Sequence, residues 1–284
     1  MSAPAHEAAA AAGEAALTPP NLVTLLHHYV HDSQVVEFLH HFEAPFFSAL
    51  VIILLVVVAR SASRHPTIIP GKLQNLVEMA VEALDDFVIG IMGPVGRDFT
   101  PFVGTVFLYI LAMNLFGIIP GMMSPTSSIN TTVAMAASVF FYVQYTGIRT
   151  NGFLGYLDHL AGNPRPKGPV GYLIAVVAVP FNLILHSMGE LTKPLSLSLR
   201  LFGNIFGEDV LIGQMLVLGV AALSFMNSPV GIPFQFPFYL LAILTSLIQS
   251  LVFTLLSVIY IFLMLPHHEE EHAAVPLGED HSHH

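Results

Sequence analysis

The sequence predicts an all-α, polytopic membrane protein with about five membrane-spanning elements, of which the last two are long and tilted. Two observations predict this class. Of the 284 residues, 54% are hydrophobic and only 10% are charged, with a mean hydropathy of +0.72, whereas soluble domains carry about 25% charged residues. The apolar residues also form runs that are long enough to cross a hydrocarbon core of about 30 Å. We therefore expect an integral membrane protein.

The composition excludes several functional classes. The formal net charge is −10, and most acidic residues lie near the two ends or between residues 78 and 98, so no basic patch indicates a nucleic-acid partner. The sequence has no cysteine, which excludes disulfides and thiolate metal sites. The first apolar run, Phe46 to Ala59, begins far from the N-terminus and lacks the basic lead-in of a signal peptide. We interpret this run as a retained membrane anchor.

Three regions follow from this distribution of residues. Residues 1–42 form an N-terminal extension, residues 43–265 form the membrane domain, and residues 266–284 form a His- and Glu-rich tail. The histidines of the extension are interleaved with acidic residues, so a solvated amphipathic segment is favoured over a zinc site. We expect no metal and no cofactor. The tail contains no Lys or Arg, which leaves its side of the membrane open.

The first span is Glu43 to Ala59, and Arg60, Arg64 and Lys72 follow it. By the positive-inside rule this end faces the cytoplasm or its equivalent, which puts the N-terminal extension on the outer side. From Leu73 to Ile91, apolar residues recur at steps of three and four positions, and acidic residues occupy the opposite face. This pattern predicts an amphipathic helix that lies on the inner surface or packs on partner helices.

The second and third spans are Phe102 to Ile119 and Asn130 to Ile148, and the turn between them has no charge, as expected on the outer side. The third span leads into an inner loop that begins near Arg149 and is rich in Gly and Pro. Of the nine Lys and Arg residues, seven fall in segments assigned to the inner side, and only Lys193 and Arg200 lie in sequence at membrane depth. The charge distribution therefore supports this topology.

The two C-terminal helices are predicted to be long. As one helix, Val170 to Phe225 would extend about 80 Å, which far exceeds the hydrocarbon core. It either bends at Pro180 and Pro194 while strongly tilted or folds into a re-entrant hairpin. Phe238 to Leu265 is the last helix. Small polar residues form a stripe on it that is suited to close helix contact; they are Ser246, Ser250, Thr254 and Ser257.

The stretch from Leu183 to Leu211 is the most informative, because it is apolar and yet contains Lys193 and Arg200. A guanidinium at the bilayer centre costs about 2.5–3.5 kcal/mol on insertion scales, and such residues usually mark a pathway for ions or protons. On a helix, most polar side chains of this stretch share one sector with Arg200. Their angles from Arg200 are about −40° for Ser196, +20° for Lys193, +40° for His186 and Asn204, and +80° for Glu190 and Glu208, while Asp209 points to the opposite side.

Arginine keeps its proton at any workable pH, so Arg200 suits a fixed positive barrier better than a proton carrier. Carboxyl groups and histidine can exchange protons when burial moves their pKa towards neutrality. The candidates for such exchange are His186, Glu190, Glu208 and Asp209. A fixed cation beside exchangeable groups indicates a gated proton path.

On the last helix, Thr245 and Gln249 are four residues apart and therefore align. A glutamine at membrane depth needs a hydrogen-bond partner, and the polar sector of Arg200 is the candidate. The alternative interpretation is that these residues only join helices through hydrogen bonds and an arginine–carboxylate pair.

The stretch Leu191 to Asn204, LTKPLSLSLRLFGN, resembles subunit a of the F-type ATP synthase, the membrane stator subunit beside the rotating c-ring. Further similarity lies in residues 69–82, in Met113 to Leu115 before Pro120, in the Pro125 to Thr132 turn, in Phe181 to Leu185 and in Gln249 to Tyr260. The resemblance covers about residues 40–265 and leaves the two ends outside.

The resemblance implies a role for each polar residue of this stretch. Arg200 would face the carboxylate of the c-ring and block a proton leak between two offset half-channels. The half-channel from the outer side would be lined by Asn204, Glu208, Asp209 and Gln249. The inner-side exit would contain His186, Glu190 and Ser196. Some members carry a histidine seven residues before the glutamine, where this sequence has Ala242, and Glu208 with Asp209 would replace its function.

The resemblance also implies the location and the partners. The chain would be a multi-pass protein of an energy-coupling membrane, such as a bacterial inner membrane, with the c-ring, the peripheral-stalk b subunits and the lipid bilayer as partners. It would be no enzyme on its own, and the site of the ring would decide whether H⁺ or Na⁺ is carried. The alternatives are a secondary transporter that binds an anionic substrate at Arg200, for which inverted repeats are expected, and a purely structural scaffold.

Overall fold

The computed structural model describes residues 21–29, 34–64, 71–160, 168–222 and 233–265, and all regular secondary structure in these ranges is helical. The helices are α1 (Leu22–Tyr29), α2 (Gln34–His41), α3 (Glu43–Ser63), α4 (Lys72–Met92), α5 (Thr100–Phe116), α6 (Ile129–Leu160), α7 (Gly168–Ala222) and α8 (Phe236–Met264). Two 3-10 turns, Gly93–Asp98 and Pro125–Ser127, precede α5 and α6. The tail from residue 266 and most of the predicted N-terminal extension lie outside the described residues.

The structure confirms a helical membrane protein. Among the described residues, three helical segments are long and apolar enough to cross a membrane, namely Glu43–Ser63, Ala178–Ala222 and Phe236–Met264. Helix α5 is apolar but has only 17 residues, which corresponds to about 25 Å. Helix α6 lies where the third span is predicted and is less apolar. All five predicted spanning elements are therefore helices, and three of them meet the length and hydropathy of a span by themselves.

Two helix ends differ from the predicted ones for local reasons. Helix α3 continues to Ser63, four residues past Ala59, because no helix breaker follows and the long stem of Arg60 can reach the membrane surface. Helix α5 ends at Phe116, three residues before Ile119. Before Pro120 the backbone forms i→i−3 hydrogen bonds instead, from Ile118 to Leu115 and from Ile119 to Phe116, because a residue before proline avoids the α conformation.

Helix α6 replaces much of the predicted inner loop. It continues past Ile148 to Leu160 and contains a break at Gly152, whose φ is +70° and ψ is 163°. At this glycine the chain folds back, so that the hydroxyl of Tyr156 donates a hydrogen bond to the side chain of Gln144 on the same helix. A residue without a Cβ adopts this backbone conformation readily. The prediction of an irregular loop directly after Arg149 was therefore wrong.

Helix α7 is continuous over 55 residues, with Pro180 and Pro194 inside it. The prediction of a re-entrant hairpin is thus wrong, and the alternative of one long helix is confirmed. Each proline removes one backbone hydrogen bond, which a membrane helix tolerates when neighbouring groups compensate. At about 1.5 Å per residue the helix is about 80 Å long, so it exceeds the thickness of the bilayer unless it is inclined.

Contacts at the two ends of the bundle define its two sides. At one end, the amide of Leu22 donates to the carbonyl of Gly121 at 2.7 Å, so α1 lies beside the uncharged turn predicted to be outside. At the other end, the side chain of Asn151 donates to the carbonyl of Met264 at 2.9 Å. The end of α8 therefore lies beside the residues that follow Arg149, on the side predicted to be inner.

The core lies where α8 packs on α5, α6 and α7. Its fully buried side chains include Ile110 and Met113 of α5, Val139 of α6, Leu201 of α7 and Phe253 of α8. The small polar stripe of α8 is buried in the same core, as predicted for a close helix contact; Ser246, Ser250, Thr254 and Ser257 are at most 1% exposed. Small residues allow the helix backbones to approach closely, which favours association in a lipid environment.

The turn between α5 and α6 is packed against α5 so closely that one position requires glycine. A Cβ atom at Gly117 would lie 2.6 Å from the Cβ of Ser124 and 2.9 Å from its backbone nitrogen. Two of the atoms in the way are backbone atoms, so a larger residue must displace the turn.

We therefore expect Gly117→Ala to lower the thermal unfolding temperature of the purified protein. The free energy of unfolding should fall by about 1–3 kcal/mol, as it does at other overpacked sites. Gly90→Ala is the matched control, because a Cβ at Gly90 meets nothing within 4 Å and alanine favours a helix. Equal unfolding temperatures for the two variants would contradict the close packing at Gly117.

Candidate functional site

Arg200 lies in the middle of α7 and is exposed on the surface of the bundle. The other side of α7 is turned towards the core, where Leu197, Ser198 and Leu201 are at most 2% exposed. Among the described residues no carboxylate oxygen lies within 4.0 Å of the guanidinium. The positive charge therefore lies at the centre of an apolar helix without a counter-ion from the described part of the chain.

The surface around Arg200 is open. Ser196, one turn before it, is exposed, and so are Gly203 and Gly207 on the following turns. A Cβ atom added at either glycine would meet nothing within 4 Å. The described chain thus leaves free space beside the guanidinium.

One turn after Arg200, α7 and α8 are joined by a pair of side-chain amides. The Nδ2 of Asn204 donates to the Oε1 of Gln249 at 2.7 Å, and Gln249 is only 3% exposed. The glutamine of α8 therefore has its partner in the polar sector of α7, as the sequence predicts. The oxygen of Gln249 is occupied by this bond, whereas its Nε2 is a buried donor without a hydrogen bond to the described residues.

A second polar pair joins the same two helices one turn further on. The hydroxyl of Thr245 donates to the Oε2 of Glu208 at 2.6 Å. Between the two pairs, α7 and α8 enclose an open cavity of about 320 Å³, with Asn204, Glu208, Thr245 and Gln249 in its wall. The rest of the wall is apolar, and a cavity of this size has room for several water molecules, each of about 30 Å³.

Asp209 does not share this cavity. It lies on the other side of α7, as the helical angles predict, near Ser127 in the turn before α6. Tyr239 of α8 interacts electrostatically with its carboxyl group. The two neighbouring acidic residues therefore face different surroundings, Glu208 the cavity and Asp209 the outer turn.

Glu190 is engaged inside the bundle on the inner side of Arg200. The ammonium of Lys193 donates a hydrogen bond to one of its carboxylate oxygens, and the Nε2 of Gln144 donates to the other at 3.3 Å. The same ammonium lies 5.3 Å from the ring centre of Tyr260, which favours a cation. Lys193 and Glu190 thus neutralise each other in a largely buried ion pair.

The remaining predicted residues are not gathered at Arg200. His186 is exposed, and its Nδ1 lies 3.3 Å from the carbonyl oxygen of Asn182 on its own helix. It is about 21 Å along the helix axis from Arg200, and Glu190 is about 15 Å away along the axis. The structure therefore brings Asn204 and Gln249 together one turn after Arg200 and Glu208 with Thr245 a turn further on. Of the predicted inner-side residues, Ser196 lies one turn before Arg200, while His186 and Glu190 lie apart from it.

Sequence reasoning missed several partners. The spacing of three residues between Glu190 and Lys193 is a signal for an ion pair on a helix, and it could have revealed that pair. The contact of Gln144 with Glu190 and that of Ser127 with Asp209 join positions far apart in the chain, and no local pattern indicates them.

The fold and the site define a class of protein: an integral membrane protein made of helices, with an exposed arginine on a long helix and, between that helix and its neighbour, a cavity with polar side chains in its wall. The family model described as ATP synthase A chain matches residues 45–262. The chain therefore belongs to the ATP synthase A chain family, and it is a membrane component of the proton-transporting ATP synthase instead of an enzyme on its own.

Individual relatives agree with this assignment. The chain is 44% identical over 252 residues to ATP synthase subunit a of Protochlamydia amoebophila, and the aligned region covers 89% of this chain and 90% of the relative. It is 38% identical over 195 residues to the subunit a of Nitratidesulfovibrio vulgaris strain DP4, with 68% and 73% covered. It is 40% identical over 207 residues to that of Solidesulfovibrio magneticus, with 72% and 77% covered.

The ion pair of Glu190 and Lys193 makes a testable contribution to stability. Lys193→Met leaves the carboxylate of Glu190 buried without its counter-ion, which we expect to reduce the free energy of unfolding by about 2 kcal/mol. The double variant Glu190→Gln, Lys193→Met removes both charges and should unfold close to the wild-type temperature. Leu191→Met, at an exposed position nearby, is the neutral control. Equal losses in the single and the double variant would show that the charges do not compensate each other.

Proposed function

We propose that the chain is the proton-translocating stator subunit that forms two offset half-channels against the c-ring, with Arg200 as the gate between them. The observation that carries the proposal is the position of Arg200, which is exposed at the middle of an apolar helix and has no carboxylate from the described residues within 4.0 Å. A guanidinium at membrane depth stays charged and is expensive without a partner. A carboxylate on an adjacent subunit would supply that partner.

The gate function follows from the chemistry of arginine. A carboxylate that passes close to Arg200 is stabilised in its ionised form by the adjacent positive charge. It therefore releases its proton on one side before it passes and takes up another after it has passed. Protons cannot cross the arginine directly, because the guanidinium does not give up its own proton. Transport is then coupled to the movement of the carboxylates.

The outer half-channel is proposed to be the cavity between α7 and α8. Its wall contains Glu208, Thr245 and Gln249, and the buried Nε2 of Gln249 has no partner among the described residues. Polar side chains in the wall of a cavity of this size favour bound water, and a chain of water molecules can conduct protons to a carboxylate. Asn204 lies in the same wall, one turn from Arg200, so the cavity reaches close to the gate.

On the inner side, His186 and Ser196 are the exposed polar residues of α7 that remain candidates for the exit. Glu190 is held by Lys193 and Gln144, so we place this ion pair beside that exit. The amphipathic α4, which presents Leu76 and Met79 on its exposed surface, is the proposed contact for the peripheral-stalk b subunits. The complex would lie in an energy-coupling membrane, such as a bacterial inner membrane.

Substitution of the arginine tests the gate. In membrane vesicles that contain the assembled complex, Arg200→Ala should reduce proton-driven ATP synthesis at least about 100-fold, while the soluble head still hydrolyses ATP. Arg200→Lys should fail as well, because a buried ammonium can lose its proton. Leu199→Ala changes the neighbouring exposed position and should leave synthesis unchanged. Normal synthesis in either arginine variant would contradict the gate.

Cross-linking tests the position of the ring. The sequence has no cysteine, so introduced thiols react without background. Ser196→Cys, on the exposed surface next to Arg200, should form a disulfide with a cysteine placed near the carboxylate of the c-subunit. Ser198→Cys is the control, because Ser198 is 1% exposed and faces the core. The proposal is overturned if position 198 cross-links to the ring and position 196 does not.

A further inference from the structure

The ion pair of Glu190 and Lys193 is the end of a longer chain of hydrogen bonds on the inner side. The hydroxyl of Tyr156 donates to the Oε1 of Gln144, and the Nε2 of Gln144 donates to the Oε2 of Glu190 at 3.3 Å. The other carboxylate oxygen of Glu190 accepts from the ammonium of Lys193. These contacts join α7 to both parts of α6, before and after the break at Gly152. The proposed function does not use the two residues of α6.

Gln144 can bind Glu190 in only one orientation of its amide group. An ionised carboxylate accepts hydrogen bonds and an amide nitrogen donates them, so the nitrogen has to face Glu190 and the oxygen has to face away. Tyr156 occupies that oxygen with its hydroxyl. Because both ends of the amide are then bonded, Gln144 is held within reach of the carboxylate. Loss of the hydroxyl leaves the amide anchored at one end.

The backbone around the break in α6 fixes the position of Tyr156. The chain folds back at Gly152, whose φ is +70°, and the ring of Tyr156 then lies against Gly147. A Cβ atom at Gly147 would be only 3.3 Å from the Cδ2 of this ring. The side chain of Asn151 donates to the carbonyl of Gly147 at 3.2 Å and to that of Met264 at 2.9 Å. The tyrosine hydroxyl therefore has a fixed position relative to α6.

The charge of Lys193 needs a fixed partner because it lies close to that of Arg200. The two residues are seven positions apart, which separates them by about 10 Å along the helix axis and about 20° around it. The side chain of Lys193 is 26% exposed, whereas that of Glu190 is 12% exposed, so burial alone does not hold the ammonium. The ring of Tyr260, 5.3 Å away, attracts the ammonium but does not neutralise it. A lysine side chain is flexible, and once released it can turn towards the surface of Arg200.

We propose that Tyr156 and Gln144 are positioning residues that keep Glu190 on Lys193, so that Arg200 is the one cation of α7 available to a carboxylate of the ring. Without this network, Lys193 is a second cation about 10 Å from the gate. An ionised carboxylate is attracted to it as well. A ring carboxylate that pairs with the lysine is retained beside the gate, which slows the movement of the ring.

This inference rests on the proposed function, in which a ring carboxylate moves past Arg200. Glu190→Gln keeps the size of the side chain and removes the charge that neutralises Lys193. Loss of a charged hydrogen-bond partner typically changes an equilibrium or a rate by about tenfold. Tyr156→Phe leaves the ion pair in place with a less fixed amide beside it, so its effect should be smaller, about threefold.

The test measures the rate of proton-driven ATP synthesis in vesicles that contain the assembled complex. Glu190→Gln should lower the rate about tenfold. The double variant Glu190→Gln, Lys193→Met, which also lacks the unpaired cation, should recover at least half of the wild-type rate. Tyr156→Phe should lower the wild-type rate about threefold and have no further effect in the double variant. Tyr145→Phe is the matched control, because Tyr145 follows Gln144 in the chain and is 59% exposed.

Reductive methylation with formaldehyde gives a readout that does not depend on transport. Lys193 has to leave its carboxylate partner to react, and the exposed Lys72 serves as the internal reference in mass spectrometry. The labelling ratio of Lys193 to Lys72 should rise about tenfold in Glu190→Gln and about threefold in Tyr156→Phe, and Tyr145→Phe should label like the wild type. The amount of subunit bound to the ring is measured for every variant.

Three results would each overturn the proposal. The first is a double variant as slow as Glu190→Gln, which would mean that the carboxylate acts independently of Lys193. The second is an equal loss from Tyr156→Phe with and without the ion pair, which is expected of a purely structural tyrosine. The third is a wild-type labelling ratio in Glu190→Gln.

The same measurements distinguish this inference from the proposed function. If Arg200→Ala abolishes ATP synthesis and the double variant shows no recovery, only the role of the network is refuted. If synthesis is normal in Arg200→Ala, the gate is refuted, and the inference that rests on it fails as well.

Discussion

The structure depends on the placement of one permanent positive charge in an apolar environment. Because a guanidinium cannot become neutral, α7 has to present Arg200 where another charge can reach it and still keep an apolar surface for the core. The helix has two different faces: Leu197 and Leu201 are buried on one face, while Arg200 and Ser196 are exposed on the other. A continuous helix of 55 residues holds this arrangement over several turns on both sides of the arginine.

The contacts that join α7 to α8 also lie in the wall of the cavity between them. These contacts are the amide pair of Asn204 and Gln249 and the pair of Thr245 and Glu208. Each pair occupies only some of its hydrogen-bonding groups, and the Nε2 of Gln249 remains unpaired among the described residues. The same side chains therefore join the two helices and line the cavity, so the two interpretations left open by the sequence are compatible.

The sequence predicts the fold class, the helix positions and the polar sector of α7 well, because hydropathy and the helical period determine them. It also pairs Gln249 with the correct helix, since a glutamine in lipid has few partners to choose from. It does not predict the reversal at Gly152, which follows from a single backbone angle, or the hydrogen bond between Gln144 and Glu190, which depends on how α6 packs against α7. Contacts between distant positions come from tertiary packing, and no periodic pattern encodes them.

The two cations of α7 show why burial and partners, and not charge alone, identify a functional residue. Lys193 and Arg200 are seven residues apart, and on an ideal helix they differ by only about 20°. Lys193 is paired with Glu190 three residues earlier and lies over the ring of Tyr260, so its charge is neutralised within the subunit. Arg200 has no carboxylate of the described residues within 4.0 Å. A charge that is already compensated stabilises the helix bundle. A charge that is left uncompensated at membrane depth requires a partner from outside, and that requirement makes the arginine, and not the lysine, suitable as a contact for a moving carboxylate.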